Sequence, residues 1–287
     1  MNIGIRLHDT APGTLDERLG FAERQGFACA HLALSKAVPG FDMQNAPALL
    51  TDALAEEVRA AFAAHRMQCA VLGCYLNLAD PDAESRRSTQ EIYKAHLRFA
   101  PKCGALTVGT ETYANPNSRF PEPASRSEEA FRLFMESLRP VVRYAEEVGA
   151  ILAVEPVSYH IVSTPERAQR MLEELPSDHL RIILDAVNLL APDTADRADD
   201  IIADAIRRLG DKVMILHMKD FRQTPDKVLS MACGTGCMRY ERLLAFAGRR
   251  DLPMTLEDTR PDNAEAARLH LEKIAAAMKD RAEPKAE

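Results

Sequence analysis

Short apolar runs alternate with longer amphipathic stretches along the whole chain. The runs are NIGIRLH (2–8), CAHLAL (29–34), QCAVLGCYL (68–76), ALTVGTE (105–111), AILAVE (150–155), RIILD (181–185), KVMILHMK (212–219) and PMTLE (253–257). All have the length of strands. Between them the apolar spacing predicts helices near 14–26, 47–66, 83–103, 125–149, 164–175, 195–209, 238–248 and 262–280. Thr14 with Glu17, Ser125 with Glu128 and Asp262 with Glu265 have the spacing of reciprocal N-terminal caps. Thr164 followed by Pro165 reads as a cap and a first-turn proline. Gly26, Gly104 and Gly149 stand where helices should stop. Eight strand–helix repeats predict an α/β protein, a single (β/α)8 TIM barrel over 1–287. The rival, an open doubly wound sheet, would carry a glycine-rich loop after its first strand. This chain has DTAPGT there. The charged end KDRAEPKAE, about 279–287, is expected to fray.

Alternation within each run assigns its side chains to two faces. With Leu106, Val108, Leu152, Val154, Ile182, Leu184, Met214, Leu216, Met218, Met254 and Leu256 turned toward the helices, the polar residues face the barrel axis. That register aims Glu111, Glu155, Asp185, His217, Lys219 and Glu257 inward, near the C-terminal strand ends where barrel sites form. Three carboxylates converging in a barrel mouth carry repulsion and desolvation costs of several kcal/mol. A divalent cation held by Glu155, Asp185, His217 and Glu257 removes them. Three oxygens and one imidazole suit Mn²⁺ first, with Mg²⁺, Co²⁺ and Zn²⁺ as alternatives.

At this point AVEP (153–156), ILDAVN (183–188), LHMKD (216–220) and TLED (255–258) resemble the xylose-isomerase-like TIM-barrel superfamily, the sugar phosphate isomerase/epimerase and AP endonuclease family 2 type. VLGCYLN (71–77) and VGTET (108–112) are similar to other members' third and fourth strands. The resemblance implies a Glu-Asp-His-Glu divalent site at Glu155, Asp185, His217 and Glu257, with Glu155 and Glu257 doubling as an acid/base pair. It implies an isomerase or epimerase acting on a small ketose or keto-sugar through an enediolate. A lyase of the inosose-dehydratase or C-glycoside-cleaving kind stays open as an alternative, and so does a non-catalytic sugar-binding subunit. Two departures separate the chain from ketose 3-epimerases of the tagatose type. Asn188 stands where they carry a histidine, and Ile161 where they carry a second glutamate. The many histidines of the endonuclease IV branch are also missing.

Around the quartet, His8, Tyr75, Glu111, Asn188 and Lys219 are the candidate substrate contacts. Tyr75 would form a wall of the site, and Asn77 would end strand three beside it. Arg6 is expected to pair with a carboxylate inside the barrel, and His31 to be a packed core histidine. His65, His96, His179 and His270 are expected in solvent. The proline-rich stretch 112–124 is long enough to cover the mouth.

The composition narrows the partners. The net charge is −7, without the basic stripe of a nucleic-acid binder. No apolar run approaches the roughly 20 residues of a membrane span. The first residues lack the basic and apolar regions of a leader. The six cysteines fall mostly in apolar segments, and CGTGC (233–237) has no second pair for a zinc site. The expectation is a cytoplasmic protein with free thiols and a carbohydrate substrate, bound to neither nucleic acid nor membrane. Homo-oligomerisation stays open.

Overall fold

The computed structural model describes residues 1–112 and 124–282. Eight parallel strands close a barrel: β1 (Ile3–Arg6), β2 (Cys29–Leu32), β3 (Gln68–Gly73), β4 (Thr107–Glu111), β5 (Leu152–Glu155), β6 (Leu180–Asp185), β7 (Val213–Met218) and β10 (Met254–Leu256). Each pairs with its sequence neighbours, and β10 closes between β7 and β1. The expected barrel is therefore the observed fold. No described helix is long and apolar enough to cross a membrane.

The helices follow the predicted order: α1 (Leu15–Arg24), α2 (Leu34–Ala37), α3 (Ala46–Leu49), α4 (Asp52–Ala64), α5 (Ala83–Cys103), α6 (Glu128–Val148), α7 (Pro165–Glu174), α8 (Ala198–Leu209), α9 (Glu241–Arg250) and α10 (Ala264–Ala282). Thr14 and Glu17 cap α1 reciprocally, and Thr164 caps α7 ahead of Pro165. Gly104 and Gly149 end α5 and α6 in the left-handed conformation, which glycine adopts without a Cβ penalty. Two caps differ from expectation. Ser127, not Ser125, caps α6; Ser125 lies in a short 3-10 turn and donates to Tyr159 O at 2.9 Å. Asp262 pairs with Arg260 rather than capping, and α10 begins at Ala264.

Alternation holds on most strands. Val108, Leu152, Val154, Ile182, Leu184, Leu216, Met218, Met254 and Leu256 pack in the large layer between barrel and helices. Cys29, Ala70, Val71, Ala153, Ile183 and Ile215 fill the barrel interior. Leu106 and Met214, expected outside, pack against this inner cluster instead. For Met214 the reason is a register shift: Ile182 pairs with Val213, but Ile183 pairs with Ile215. The extra residue resets the alternation.

The short helix α2 and one hairpin have no counterpart in the expected series. β8 (Asp220–Gln223) and β9 (Val228–Met231) form an antiparallel hairpin after β7. CGTGC follows it as a turn before α9. The Asp220 carboxylate organises that turn by accepting from the backbone N–H groups of Phe221, Gly234 and Met238. The end expected to fray is helical to Ala282, and 283–287 lie outside the described residues.

Candidate metal centre and active site

Strand ends deliver the central side chains. Glu155 closes β5, Asp185 closes β6, His217 is the penultimate residue of β7, and Glu257 follows β10. Asp185 and His217 are register partners, as are Glu111 and Glu155. Glu155, Asp185 and His217 are each 1% exposed. At that depth an uncompensated carboxylate is expensive.

Each carboxylate is anchored through one oxygen and presents the other. Asp185 Oδ1 accepts from the backbone of Val187 at 2.8 Å and Asn188 at 3.1 Å. Glu155 Oε1 accepts from Asn188 Nδ2 at 2.6 Å. Glu257 Oε2 is held by Arg6 Nη1 at 3.2 Å and Lys219 Nζ at 3.0 Å. The second oxygens of the two glutamates converge on His217 Nδ1, Glu155 Oε2 at 3.0 Å and Glu257 Oε1 at 3.2 Å. Asp185 Oδ2 contacts Lys219 Nζ at 3.1 Å. Despite these short distances, His217 Nδ1 and Nε2 and Asp185 Oδ2 make no hydrogen bond of good geometry among the described residues. Buried polar atoms left in that condition are what a divalent ion satisfies. Ligand atoms of Glu155, Asp185 and His217 lie within 4.8 Å of one another, and so do those of His31, His217 and Glu257. The residues fit a metal.

The electrostatics follow from burial and crowding. Burial alone would neutralise His217, but the charges of Glu257 and Glu155 raise it to about 9. Burial likewise opposes the charge of Lys219, which Asp185 and Glu257 hold well above its ordinary value. Burial pushes Glu257 up, yet His217 and Lys219 bring it well below the usual carboxylate range. Asp185 rises to about 6 because desolvation outweighs Lys219. Glu111 rises to about 8 through burial and the neighbouring charge of Glu155.

Above this floor opens a cavity of about 450 Å³. His8, Tyr75, Glu111, Asn188 and Lys219 all line it, with Arg6 and Glu257. Lys219 is tied to Asn188 Oδ1 at 3.2 Å, so the ammonium bridges three side chains. Burial and Arg6 lower His8 to about 3, leaving a neutral imidazole. Arg6 pairs with Asp9, Glu257 and Asp258. Asn77 lies beyond β3 and does not line the cavity; its Oδ1 accepts from Ala79 N at 2.9 Å.

Several wall residues carry no sequence signal of their own: Ser35, Lys36, Met43 and the half-exposed Tyr159. His160 is buried, with Nδ1 3.7 Å from Glu111 Oε2. His31 belongs to the mouth rather than to inert core. The remaining histidines are not simply solvated. His96 is fully buried and bonds Ile92 O, His65 pairs with Asp16 and Glu23, His179 bonds Ala150 O, and His270 packs on the Tyr240 ring. Of the stretch expected to cover the mouth, 113–123 lie outside the described residues.

Comparison with known proteins adds a family. The model of the xylose isomerase-like TIM barrel family matches residues 20–277. A curated D-psicose 3-epimerase from Enterocloster bolteae is 31% identical over 87 residues, which are 29% of this chain and 27% of that protein. The chain thus matches little more than a quarter of that relative's length. Among solved structures, 3-keto-D-glucoside 4-epimerase YcjR from E. coli aligns with a TM-score of 0.74 at 18% identity, covering 95% of this chain and 99% of the other. The IOLI protein, solved with a bound zinc atom, aligns with a TM-score of 0.73 at 18% identity, covering 96% and 97%. At such identities these structures establish a shared fold.

Proposed function

This chain belongs to the xylose isomerase-like TIM barrel family, and from that premise we propose that it is a divalent-metal-dependent isomerase or epimerase of a small ketose or keto-sugar. One observation carries the reading. Three buried carboxylates at strand ends are each anchored through one oxygen, and the glutamates turn the other toward the same imidazole, beneath a sugar-sized cavity. Glu155, Asp185, His217 and Glu257 would hold the ion, Mn²⁺ first. A divalent ion there supplies Lewis acidity toward a carbonyl and its neighbouring hydroxyl.

The protein's own groups do the rest. Glu155 and Glu257, delivered by strands three places apart around the barrel, take and return the proton at the α-carbon. Asn188 orients Glu155, and Arg6 with Lys219 orients Glu257. His8, Tyr75 and Glu111 contact substrate hydroxyls, and the Tyr159 ring offers an apolar wall.

A second reading rests on Glu111. Its carboxyl lines the cavity, and in the metal-free protein burial and the charge of Glu155 push it up to about 8, a placement that suits a proton donor to a departing hydroxyl. That would make the enzyme a lyase on a keto-sugar. Incubating a panel of ketoses and 3-keto-glycosides with the Mn²⁺-loaded protein in D₂O separates the readings. Deuterium at the α-carbon without elimination supports the isomerase. Loss of a β-substituent supports the lyase. Neither reaction across the panel, with metal bound, would leave a sugar-binding subunit.

A further inference from the structure

His31 sits on β2 at the barrel mouth and is 2% exposed. Its Nε2 faces the Tyr75 hydroxyl at 3.4 Å. Its Nδ1 lies 3.6 Å from Glu257 Oε1 and makes no hydrogen bond among the described residues. The pocket holding the ring is made by a missing side chain. A Cβ on Gly73 would stand 2.8 Å from His31 Nε2 and equally close to the Tyr75 ring.

Glu257 faces two ways. Its Oε2 is committed to Arg6 and Lys219, while its Oε1 faces His217 Nδ1 and His31 Nδ1. The mouth therefore contains two overlapping sets of three ligands that share His217. Glu155, Asp185 and His217 offer two carboxylates and one imidazole. His31, His217 and Glu257 offer two imidazoles and one carboxylate. Oxygen-rich sets suit hard ions such as Mn²⁺ and Mg²⁺, whereas imidazole suits Zn²⁺ and Co²⁺.

We propose that His31 gives this centre a second, nitrogen-rich cation position, formed with His217 and Glu257, that selects Zn²⁺ or Co²⁺ over Mn²⁺ or Mg²⁺. The inference rests on the mouth being a metal centre and extends it by one ligand and a choice between metals. Tyr75 supports the new ligand from behind: an Nε2–H donated to its hydroxyl leaves the Nδ1 lone pair for the ion. Because His217 is shared, the two positions are alternatives for a single ion.

Isothermal titration of chelator-stripped wild type, His31→Ala and His31→Gln with Zn²⁺ and with Mn²⁺ tests this. Both variants should bind Zn²⁺ at least about tenfold more weakly, the scale on which a metal site's supporting groups act. Mn²⁺ affinity should change less than about threefold, because its preferred ligands are untouched. Equal losses for both metals, or none for Zn²⁺, overturn the assignment of His31. Wild-type protein that binds neither metal overturns the metal centre itself. Should both variants fail to fold, the wild type still decides. Loaded with Co²⁺, it should show two hyperfine-shifted exchangeable imidazole N–H resonances in proton NMR, and one alone would exclude His31 as a ligand.

Discussion

Replacing Lys219 with methionine keeps most of the side-chain volume and deletes the one ammonium that touches Asp185 Oδ2, Glu257 Oε2 and Asn188 Oδ1 together. Lys219 is 8% exposed, so solvent screens this charge little. Removing one partner from a buried ion pair typically costs about 3–5 kcal/mol, because the other charge is left uncompensated. At roughly 2–4 °C per kcal/mol for a large domain, the metal-free variant should melt about 6 °C or more below metal-free wild type. A bound divalent ion supplies the missing positive charge, so the penalty falls mainly on the metal-free state. Stability lost there and recovered on binding must reappear as affinity. A recovery of about 3 kcal/mol corresponds to roughly 10²-fold tighter Mn²⁺ binding. Thermal melts with and without Mn²⁺, together with titration calorimetry, close this cycle. A metal-free Lys219→Met protein melting within about 2 °C of wild type would refute the ledger. So would an unchanged Mn²⁺ affinity, since Lys219 and the ion would then not compete for the same carboxylates.

Glu155→Gln and Glu257→Gln should each lose about 10²-fold or more in turnover, the scale of positioned acid/base catalysis. If both variants exchange the substrate α-proton at the wild-type rate, neither glutamate is the base and the acid/base assignment fails. Asp185→Asn should act mainly through metal affinity, and excess Mn²⁺ should restore part of the activity. EDTA should lower the melting temperature of Mn²⁺-loaded protein, because an ion bound only by the folded state stabilises it by mass action; an unchanged melt with metal-free protein confirmed by elemental analysis counts against a bound ion. Glu111 provides a pH test in chelator. Burial and Glu155 raise it from 4.5 to about 8 in the folded protein. Between those values the folded state holds a proton that the unfolded state has lost, so stability falls as pH rises. Glu111→Gln should flatten that part of the stability profile, and an unchanged slope in denaturant titrations from pH 5 to pH 8 would refute the shift.

How much of this was legible in the chain depends on which spatial relation is asked for. A strand's alternation reports which face a side chain takes, and on β5, β6, β7 and the strand before Glu257 it placed the inward polar residues without a structure. Strand order followed from repetition, because consecutive β/α units pack as neighbours. Alternation fails where an extra residue enters a strand. Met214 is inward because the β6–β7 register skips it, and no propensity marks that position. The β8–β9 hairpin was hidden for a related reason. Its residues are largely exposed, as Arg222, Gln223, Leu229 and Ser230 are, so no buried face imposes a readable period. Relations across the barrel are harder still. Lys219 was visibly inward, but its bridge between Asp185 and Glu257 depends on three strand ends meeting at one height. His31 was visibly inward too, yet nothing on its own strand distinguishes a packed ring from a ligand. The distinction comes from Gly73 on β3, which leaves room for the ring, and from Arg6 on β1 and Lys219 after β7, which occupy one oxygen of Glu257 and leave the other facing the ring. Most strands thus declared their inward polar residues, while the difference between core and candidate site was made by pairs of residues on different strands.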